Sequence, residues 1–236
     1  MNEVLDNYID TSFDSDYLQC KPKFAIYEAN YRCYFPADLQ ARILDIGIGR
    51  GEMLSSVKMW GYSNSQGIDI SPQVINHCKK LELPCCLVTD TDGWLREHLN
   101  EFSLITMLDV LEHIPKRRLV ATLAAARKSL VEDGILIIQV PNLQSPDGYL
   151  HRYNDITHEV GFLEHSLEQV LRSAGFRNYL LQGLEEILGN GLSPLGKRFL
   201  RFIYYSHVRF RRHITANLNP RILTPVFFAV AKKSVN

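Results

Sequence analysis

The segment ILDIGIGRGEML, residues 43–54, constrains the fold more than any other part of the chain. An apolar strand pattern ends at glycines in alternate positions, Gly47, Gly49 and Gly51, and a helical pattern begins near Glu52. Glycine adopts positive φ and lets a ligand approach backbone N–H groups closely. The segment therefore predicts a nucleotide-like cofactor site at a strand-to-helix turn.

The spacing of this turn is GxGxG, whereas the fingerprint of dinucleotide-binding proteins is GxGxxG. Asp45 lies two residues before the first glycine. A phosphate-binding turn has little use for a carboxylate, but a cofactor with an ammonium group on an amino-acid tail would suit it. A nicotinamide-dependent dehydrogenase is the rival enzyme class.

Short β-branched runs alternate with helical patterns along the chain, which is typical of parallel βαβ units. Helices are clearest over 116–131 and 166–176, where apolar residues recur at spacings of three or four. These patterns predict a doubly wound α/β fold. The predicted strands are 42–47, 65–70, 84–89, 102–108, 134–140, 176–184 and 225–233.

Two acids follow neighbouring strands of this predicted sheet. Asp69 lies twenty residues after Gly49, at the end of the second strand, and is placed to accept hydrogen bonds from ribose hydroxyls. Asp90 comes at the end of the third strand and would meet an adenine amino group. The two acids extend the predicted cofactor site along the sheet edge.

Four segments together resemble the class I S-adenosylmethionine-dependent methyltransferases, over roughly residues 40–180. LDIGIGRGEML is similar to the glycine motif of that family, GIDISPQVI to its ribose-binding acid, VTDTDGWL to its adenine corner and FSLITMLDVLEHI to its fourth strand. The resemblance implies S-adenosylmethionine as cofactor and S-adenosylhomocysteine as product. It also implies a Rossmann-like sheet of seven strands with an antiparallel last strand.

The resemblance assigns roles to individual residues. The three glycines would shape the turn under the methionine tail. The acid that ends the second strand and the residue after it would face the ribose, and the acid and threonine after the third strand would lie beside adenine. The last residue of the fourth strand would offer backbone contacts near the methionine amine. These residues are, in that order, Gly47, Gly49 and Gly51; Asp69 and Ile70; Asp90 and Thr91; and Leu108.

With 236 residues, of which 46% are hydrophobic, the chain suits one α/β domain with additions. The predicted parts are a helical N-terminal cover at 1–40, a cofactor-binding core at 41–183, a basic helical insertion at 184–222 and the last strand at 223–233. An aromatic series in the cover is predicted to form a helix packed over the cofactor cleft: Tyr17, Phe24, Tyr27, Tyr31 and Tyr34.

The connection 140–167 follows the fifth strand, and ligands of open α/β sheets bind beyond the carboxyl ends of the strands. This loop is therefore predicted to meet the acceptor substrate. His158 is the candidate general base for an acceptor hydroxyl, since histidine titrates near neutrality, and His113 is the reserve. The predicted acceptor-binding residues are Asn142, Arg152, Tyr153 and Asp155.

A purely structural interpretation of these side chains stays open. Asp155 and Thr157 would then cap local turns, and His158 would hydrogen-bond to backbone. A second group would cap the helix that follows it: Asp109, Glu112 and His113. Asp109 and Asp155 could supply carboxylates to a divalent metal, but the spacing of possible ligands gives no positive indication, so no metal site is predicted.

The run RYNDITHEVGFLEHSLEQVLRSAGF, residues 152–176, is similar to small methyltransferases encoded with bacterial surface-polysaccharide genes, including those acting on O-antigen sugars. This resemblance implies O-methylation of a sugar or sugar phosphate, in a polysaccharide or its lipid-linked precursor. The alternatives are another small-molecule hydroxyl, or a catalytically silent cofactor-binding partner of a membrane-surface assembly.

Charge divides the chain into an acidic body and a basic end. All 26 acidic residues fall in 1–186, and the last 50 residues carry nine Lys and Arg. Residues 195–214, drawn as a helix, place apolar and basic side chains largely on opposite sides, which suits an anionic membrane surface; a helix covering the sheet is the alternative. No nucleic-acid partner is expected, because no RNA-binding module accompanies the tail.

Five cysteines without a CxxC pair indicate neither disulfides nor zinc and suit a reducing compartment. We find no leader-like N-terminus and no apolar run of about 18 residues. The expected location is therefore the cytoplasm, with peripheral attachment to the inner face of the membrane. The sequence does not indicate an oligomeric state.

Overall fold

The computed structural model of the protein describes residues 23–185 and 193–234, apart from the side chain of Pro194. In this part of the chain, seven strands form one sheet in the order β3-β2-β1-β4-β5-β7-β6. They are β1 Ile43–Ile46, β2 Ser65–Asp69, β3 Cys85–Leu87, β4 Phe102–Leu108, β5 Leu130–Pro141, β6 Asn178–Gly183 and β7 Val226–Lys232. β1 to β5 pair in parallel, and β7 is antiparallel to β5 and β6. The predicted doubly wound sheet with an antiparallel last strand is confirmed.

Helices connect the strands and cover both faces of the sheet. They are α1 Phe24–Tyr31, α2 Glu52–Met59, α3 Pro72–Lys80, α4 Thr91–Glu97, α5 Leu119–Ser129, α6 Gly148–Tyr153, α7 Glu164–Ser173 and α8 Pro194–Ile214. Short 3₁₀ turns occur at Arg32–Tyr34 and Leu111–His113.

Alternate residues of the strands fill two separate cores, because successive side chains of a strand point to opposite faces. On one face, Leu44 and Ile105 pack in a cluster with α4, α5 and α7. On the other face, Ile43 and Leu104 pack in a cluster with α1 and α2. The parallel strands β1, β2, β4 and β5 therefore end at one edge of a sheet that is covered on both sides.

The fifth strand is the main departure from the predicted boundaries. β5 begins at Leu130, directly after α5, because Leu130 pairs with Phe102 across a register shift in β4. Gly134 therefore lies inside a strand and does not mark the end of the preceding helix. The third strand is also shorter than predicted, so that Asp90 lies three residues beyond it, at the start of α4.

The N-terminal helix α1 covers a sheet face and reaches β6 and β7, which is broader than the predicted cover over the cofactor cleft. The ring of Tyr31 meets that of Phe228 edge-on at 5.1 Å. The Tyr34 hydroxyl donates to Gln182 Oε1 at 3.0 Å. Tyr17 lies outside the described residues.

Helix α8 projects most of its apolar side chains into solvent. Val208 is buried, and two of the polar contacts of α8 run from Arg212 Nη2 to the Gln144 carbonyl at 2.7 Å and from Arg209 Nη2 to the Arg221 carbonyl at 3.0 Å. Its exposed apolar residues include Leu195, Phe199, Phe202, Phe210 and Ile214, each at least 62% exposed. The helix therefore does not cover the sheet, contrary to that alternative. None of the described helices combines the length and apolar character needed to cross a bilayer.

Candidate active site

The glycine turn between β1 and α2 has the backbone that its sequence predicts. Gly47, Gly49 and Gly51 have φ of +71°, +48° and +75°, a region that side chains rarely tolerate. A Cβ at Gly47 would collide with Val110, just beyond β4, whereas a Cβ at Gly49 would have no atom within 4 Å. The first glycine thus permits close packing, and the second leaves open space beside the turn for a ligand.

Asp45 presents a buried carboxylate under this turn. The side chain is 3% exposed, and Thr106 Oγ1 donates a hydrogen bond to its Oδ1 at 2.6 Å. Burial raises the pKa of Asp45 to about 7, the negative charge of Asp69 adds to this, and the bond from Thr106 opposes it. A bound ammonium group would supply the missing countercharge, which fits the amino-acid tail predicted for the cofactor.

Asp69 lies at the end of β2 and is oriented by backbone donors. Its Oδ1 accepts from Ser71 N at 2.8 Å, and its Oδ2 lies 3.4 Å from Gly49 N. This carboxylate is therefore fixed directly beside the glycine turn, as a ribose-binding acid requires. Ile70, the neighbouring residue that is also predicted to face the ribose, is 43% exposed.

The predicted adenine corner is more open. The Asp90 side chain is 69% exposed, and one of its carboxylate oxygens lies 3.6 Å from Arg118 Nη2. Thr91 is half-buried at the first position of α4. The next acid, Asp92, is buried and accepts hydrogen bonds from Thr122 and Arg118. Asp90 and Thr91 therefore border the edge of the cleft, whereas Asp92 is used by the fold.

A series of hydrogen-bonded side chains lies next to Leu108, the last residue of β4. Asp109 follows it at a φ of +55°, and Gln139 Nε2 donates to its Oδ2 at 2.8 Å. The Tyr31 hydroxyl in turn donates to Gln139 Oε1. Tyr27 packs in one cluster with Met53 and Val57 of α2, the helix that follows the glycine turn. Burial, then the charges of Glu52 and Asp109, raise the pKa of Tyr27 well above its ordinary value.

Sequence reasoning did not identify Gln139 or the role of Tyr31 in that series. Gln139 is a lone polar residue in an apolar strand, GILIIQV, and it is 2% exposed. A buried polar side chain needs hydrogen-bond partners, so a glutamine within this apolar strand is the feature of the sequence that could have indicated a buried hydrogen-bonded group. Its partners lie on α1 and beyond β4, which the sequence does not bring together.

Glu112, His113 and His158 converge at the same edge. The rings of His113 and His158 are 4.7 Å apart between centroids. His113 Nδ1 lies 2.8 Å from Thr157 Oγ1. Burial, then the neighbouring His158, lowers the pKa of His113, which therefore favours its neutral form.

Glu112 is the buried member of this group, at 2% exposure. Neither of its carboxylate oxygens has a hydrogen-bond partner among the described residues. Burial, then the charge of Asp109, raises its pKa well above the ordinary range. The helix that follows, α5, has no side-chain capping bond at its start, so the predicted capping alternative does not explain Glu112.

The contacts expected from the structural alternative for the acceptor loop are present, and those of His158 involve its Nδ1. Asp155 Oδ1 accepts from the Thr157 backbone N–H at 2.8 Å and from its hydroxyl at 2.6 Å. His158 Nδ1 lies 2.8 Å from the His151 carbonyl. Since a carbonyl only accepts, Nδ1 carries the proton, and Nε2 of the neutral ring carries the lone pair.

Two predicted acceptor-binding residues serve the fold. Asn142 is fully buried and donates to the carbonyls of Ile222 and Thr224 at 3.1 and 2.8 Å, so both of its amide protons are used. We therefore remove it from the acceptor site. Arg152 donates to the carbonyls of His158 and Glu159, which braces the loop. Tyr153 is 79% exposed and is available to a ligand.

Comparison with known proteins decides the family. A family model described as a methyltransferase domain matches residues 25–181. The chain belongs to this family. The predicted methyltransferase family is thereby confirmed, in agreement with the fold and the glycine turn described above.

Individual relatives are distant. A ubiquinone biosynthesis O-methyltransferase of Neisseria meningitidis serogroup A is 27% identical over 119 residues, which is 47% of this chain and 48% of that enzyme. The chain thus aligns with about half the length of this relative. A methyltransferase structure from Archaeoglobus fulgidus has a TM-score of 0.66 at 24% identity and covers 89% of this chain and 94% of its own.

A more distant solved structure is similar to this chain in fold only. The phosphoethanolamine N-methyltransferase 2 of Haemonchus contortus, bound to S-adenosylhomocysteine, has a TM-score of 0.62 at 13% identity, and the match covers 98% of this chain and 61% of that one.

Removing the charge of the buried Asp45 carboxylate should increase the stability of the protein and weaken its binding of the cofactor. Because its pKa rises from about 4 in the unfolded chain to about 7 on folding, its contribution to stability is present below pH 4 and is lost as the pH rises through 7. Asp45→Asn should therefore raise the free energy of unfolding at pH 8, by up to about 4 kcal/mol, and by less at pH 5. It should also weaken S-adenosylhomocysteine about tenfold to hundredfold, through the lost charged partner.

Urea unfolding at the two pH values and calorimetry with S-adenosylhomocysteine measure both effects. Asp133→Asn is the matched control, since the Asp133 side chain is 72% exposed and pairs with Lys232 at the surface. An Asp45→Asn protein no more stable than wild type at pH 8 would contradict the assigned burial cost.

Proposed function

We propose that the protein transfers a methyl group to a hydroxyl oxygen, in a sugar or sugar phosphate of a surface polysaccharide or its lipid-linked precursor. The observation that carries the proposal is the histidine pair His113 and His158 at the cofactor edge. Val110 packs on Gly47 of the cofactor turn, and the histidine at 113 follows three residues later. We therefore expect the pair to lie near the methyl donor when the cofactor is bound.

Oxygen as the acceptor atom is supported by two observations. The curated relative from Neisseria is named an O-methyltransferase. A hydroxyl also differs from a carboxylate or phosphate, because it is protonated at neutral pH and benefits from activation by about 10² to 10⁴-fold. Two imidazoles at the acceptor side of the cofactor supply groups for that activation.

Methyl transfer to a hydroxyl oxygen requires few further groups from the protein. S-adenosylmethionine, when bound, supplies a methyl group already activated by its sulfonium. The acceptor oxygen loses its proton and bonds to the methyl carbon as the C–S bond breaks, giving a methyl ether, S-adenosylhomocysteine and one proton. The protein must align the two partners, which is proximity catalysis, and handle the proton, for which His158 Nε2 is oriented by the bond to His151.

A glycan acceptor is supported by the resemblance of residues 152–176 and by the open side of the loop. Tyr149, Tyr153 and Ile156 are 61%, 79% and 90% exposed around the loop that carries His158. Exposed aromatic rings beside polar groups suit sugar rings, which have apolar faces and hydroxyl edges. The rivals are another small-molecule hydroxyl and a silent cofactor-binding partner.

Purified protein with methyl-labelled S-adenosylmethionine, incubated separately with surface glycan, lipid-linked glycan and total lipid extract from the source cells, tests the acceptor. Label in a glycan fraction, located by mass spectrometry as one added methyl group, is the expected result. Label only in glycan-free lipid would establish a different hydroxyl acceptor. No labelled product, despite S-adenosylhomocysteine binding, would favour the silent partner.

His158→Ala should lower turnover by about 10² to 10⁴-fold and leave S-adenosylhomocysteine affinity within about twofold. The predicted cofactor-binding groups lie at the ends of β1, β2 and β4 and at the start of α4, whereas His158 lies on the acceptor loop. The matched control is His165→Ala, because His165 is exposed on α7. Near-normal turnover in a folded His158→Ala protein would remove His158 from the chemistry.

We also propose that α8 attaches the enzyme to an anionic membrane surface. Its apolar side chains are exposed, and Lys197, Arg198 and Arg201 accompany them without an acidic neighbour in the helix. Peripheral attachment at the inner face of the membrane would place the site near lipid-linked glycans. The basic side chains of α8 would be attracted to anionic lipids, and its apolar side chains would insert into the membrane interface.

Flotation with phosphatidylglycerol and phosphatidylcholine vesicles measures this attachment. The protein should bind the anionic vesicles preferentially, and the double variant Phe199→Ser, Phe202→Ser should weaken binding at least tenfold, since each buried Phe contributes about 1.5 to 3 kcal/mol. Met59→Ser is the control, because Met59 is 59% exposed on α2. Unchanged binding of the double variant would exclude α8 as the contact.

A further inference from the structure

Glu112, His113 and His158 each offer one ligand atom, and the three atoms lie within 4.8 Å of one another. In a site with metal–ligand distances of about 2.1 Å, ligands on opposite sides of a cation are about 4.2 Å apart. Small side-chain movements therefore bring the three atoms into one coordination sphere.

Hydrogen bonds orient both imidazoles for this role. The His151 carbonyl fixes the proton of His158 on Nδ1. The Thr157 hydroxyl donates its own proton to Asp155 and so accepts from His113 Nδ1. Each neutral ring thus carries its lone pair on Nε2. A carboxylate, hydroxyl or carbonyl behind the second nitrogen is the arrangement that orients histidine ligands in metal sites.

The carboxylate of Glu112 gives independent support. It is 2% exposed, and neither oxygen has a hydrogen-bond partner among the described residues. A buried carboxyl group without a partner costs stability whether it is charged or neutral. A cation bound between Glu112 and the two imidazoles would satisfy it.

The two segments that carry these groups are joined by backbone bonds. Glu159 N and Val160 N donate to the Glu112 carbonyl at 2.8 and 3.1 Å. Arg152 donates to the His158 and Glu159 carbonyls from the other side. The ligand atoms are thereby held on a braced loop and a short turn, as a preorganised site requires.

We propose that Glu112, His113 and His158 form a binding site for a divalent first-row transition cation such as Zn²⁺ or Mn²⁺, at the acceptor side of the cofactor cleft. Two imidazoles and one carboxylate favour these cations over Mg²⁺ and Ca²⁺, which prefer all-oxygen sets. Three protein ligands leave positions open for water or an acceptor oxygen.

The role of the cation rests on the proposed O-methyl transfer. A hydroxyl oxygen bound at an open position would lose its proton more readily, and the proton would pass to solvent. The resulting oxygen would attack the methyl carbon as the C–S bond breaks, and the cation would keep its charge and oxidation state. The histidines would then activate the acceptor through the cation and would not take its proton directly.

Calorimetric titration of chelator-treated, dialysed protein with Zn²⁺ tests the site, with Co²⁺ as a second probe through its visible absorption. The wild type should bind one equivalent, and Glu112→Gln should weaken binding at least tenfold. Glu159→Gln is the matched control, because its exposed side chain is outside the site and only its backbone is used. S-adenosylhomocysteine titration and circular dichroism confirm that each variant is folded.

Equal Zn²⁺ affinity of the wild type and Glu112→Gln would overturn the proposal. Full methyl transfer by chelator-treated protein would overturn the catalytic role given to the cation and would leave direct proton transfer to His158. Neither result would touch the proposed O-methyl transfer, which fails only if no hydroxyl acceptor is methylated. Conversely, one Zn²⁺ site lost in Glu112→Gln would support the metal site even without a known acceptor.

Discussion

Two backbone hydrogen bonds hold the acceptor side of the site together. The Glu112 carbonyl accepts from the N–H groups of Glu159 and Val160, and this joins the turn after β4 to the loop after β5. Without these bonds the loop that carries His158 would lose its backbone link to the turn that carries His113. Because backbone groups make them, they survive most side-chain changes, and the loop can vary in sequence while its histidine keeps its place.

Much of the cofactor half could be predicted from sequence because it is local. The turn through Gly47, Gly49 and Gly51 follows from backbone sterics, and Asp69 follows from the end of a strand of fixed direction. The strand pattern also predicted the sheet. The boundary of β5 failed, since its start is decided by pairing of Leu130 with Phe102 across a register shift, which no local pattern contains.

The acceptor half could be predicted only in outline. The sequence drew attention to the loop and to both histidines, but it indicated Glu112 as a capping residue, because only the tertiary structure shows that this carboxylate is buried without a hydrogen-bond partner among the described residues. Asn142 and Arg152 read as ligand-binding groups, whereas the fold uses both to hold backbone carbonyls. A polar side chain in a loop serves either purpose, and its partners lie too far away in sequence to decide which.

The insertion that carries α8 enters the fold through a hairpin. Gly183 of β6 pairs with Phe227 of β7, and Leu184 N donates to the Val226 carbonyl at 3.0 Å, so both ends of the connection 184–225 meet at one point of the sheet. Lengthening a connection whose ends are already adjacent costs little free energy, because the closure entropy grows only with the logarithm of its length. The part of this segment that carries α8 can therefore change in length or sequence at little cost to the sheet, whereas Ile222 and Thr224, whose carbonyls hold Asn142, are tied to the fold.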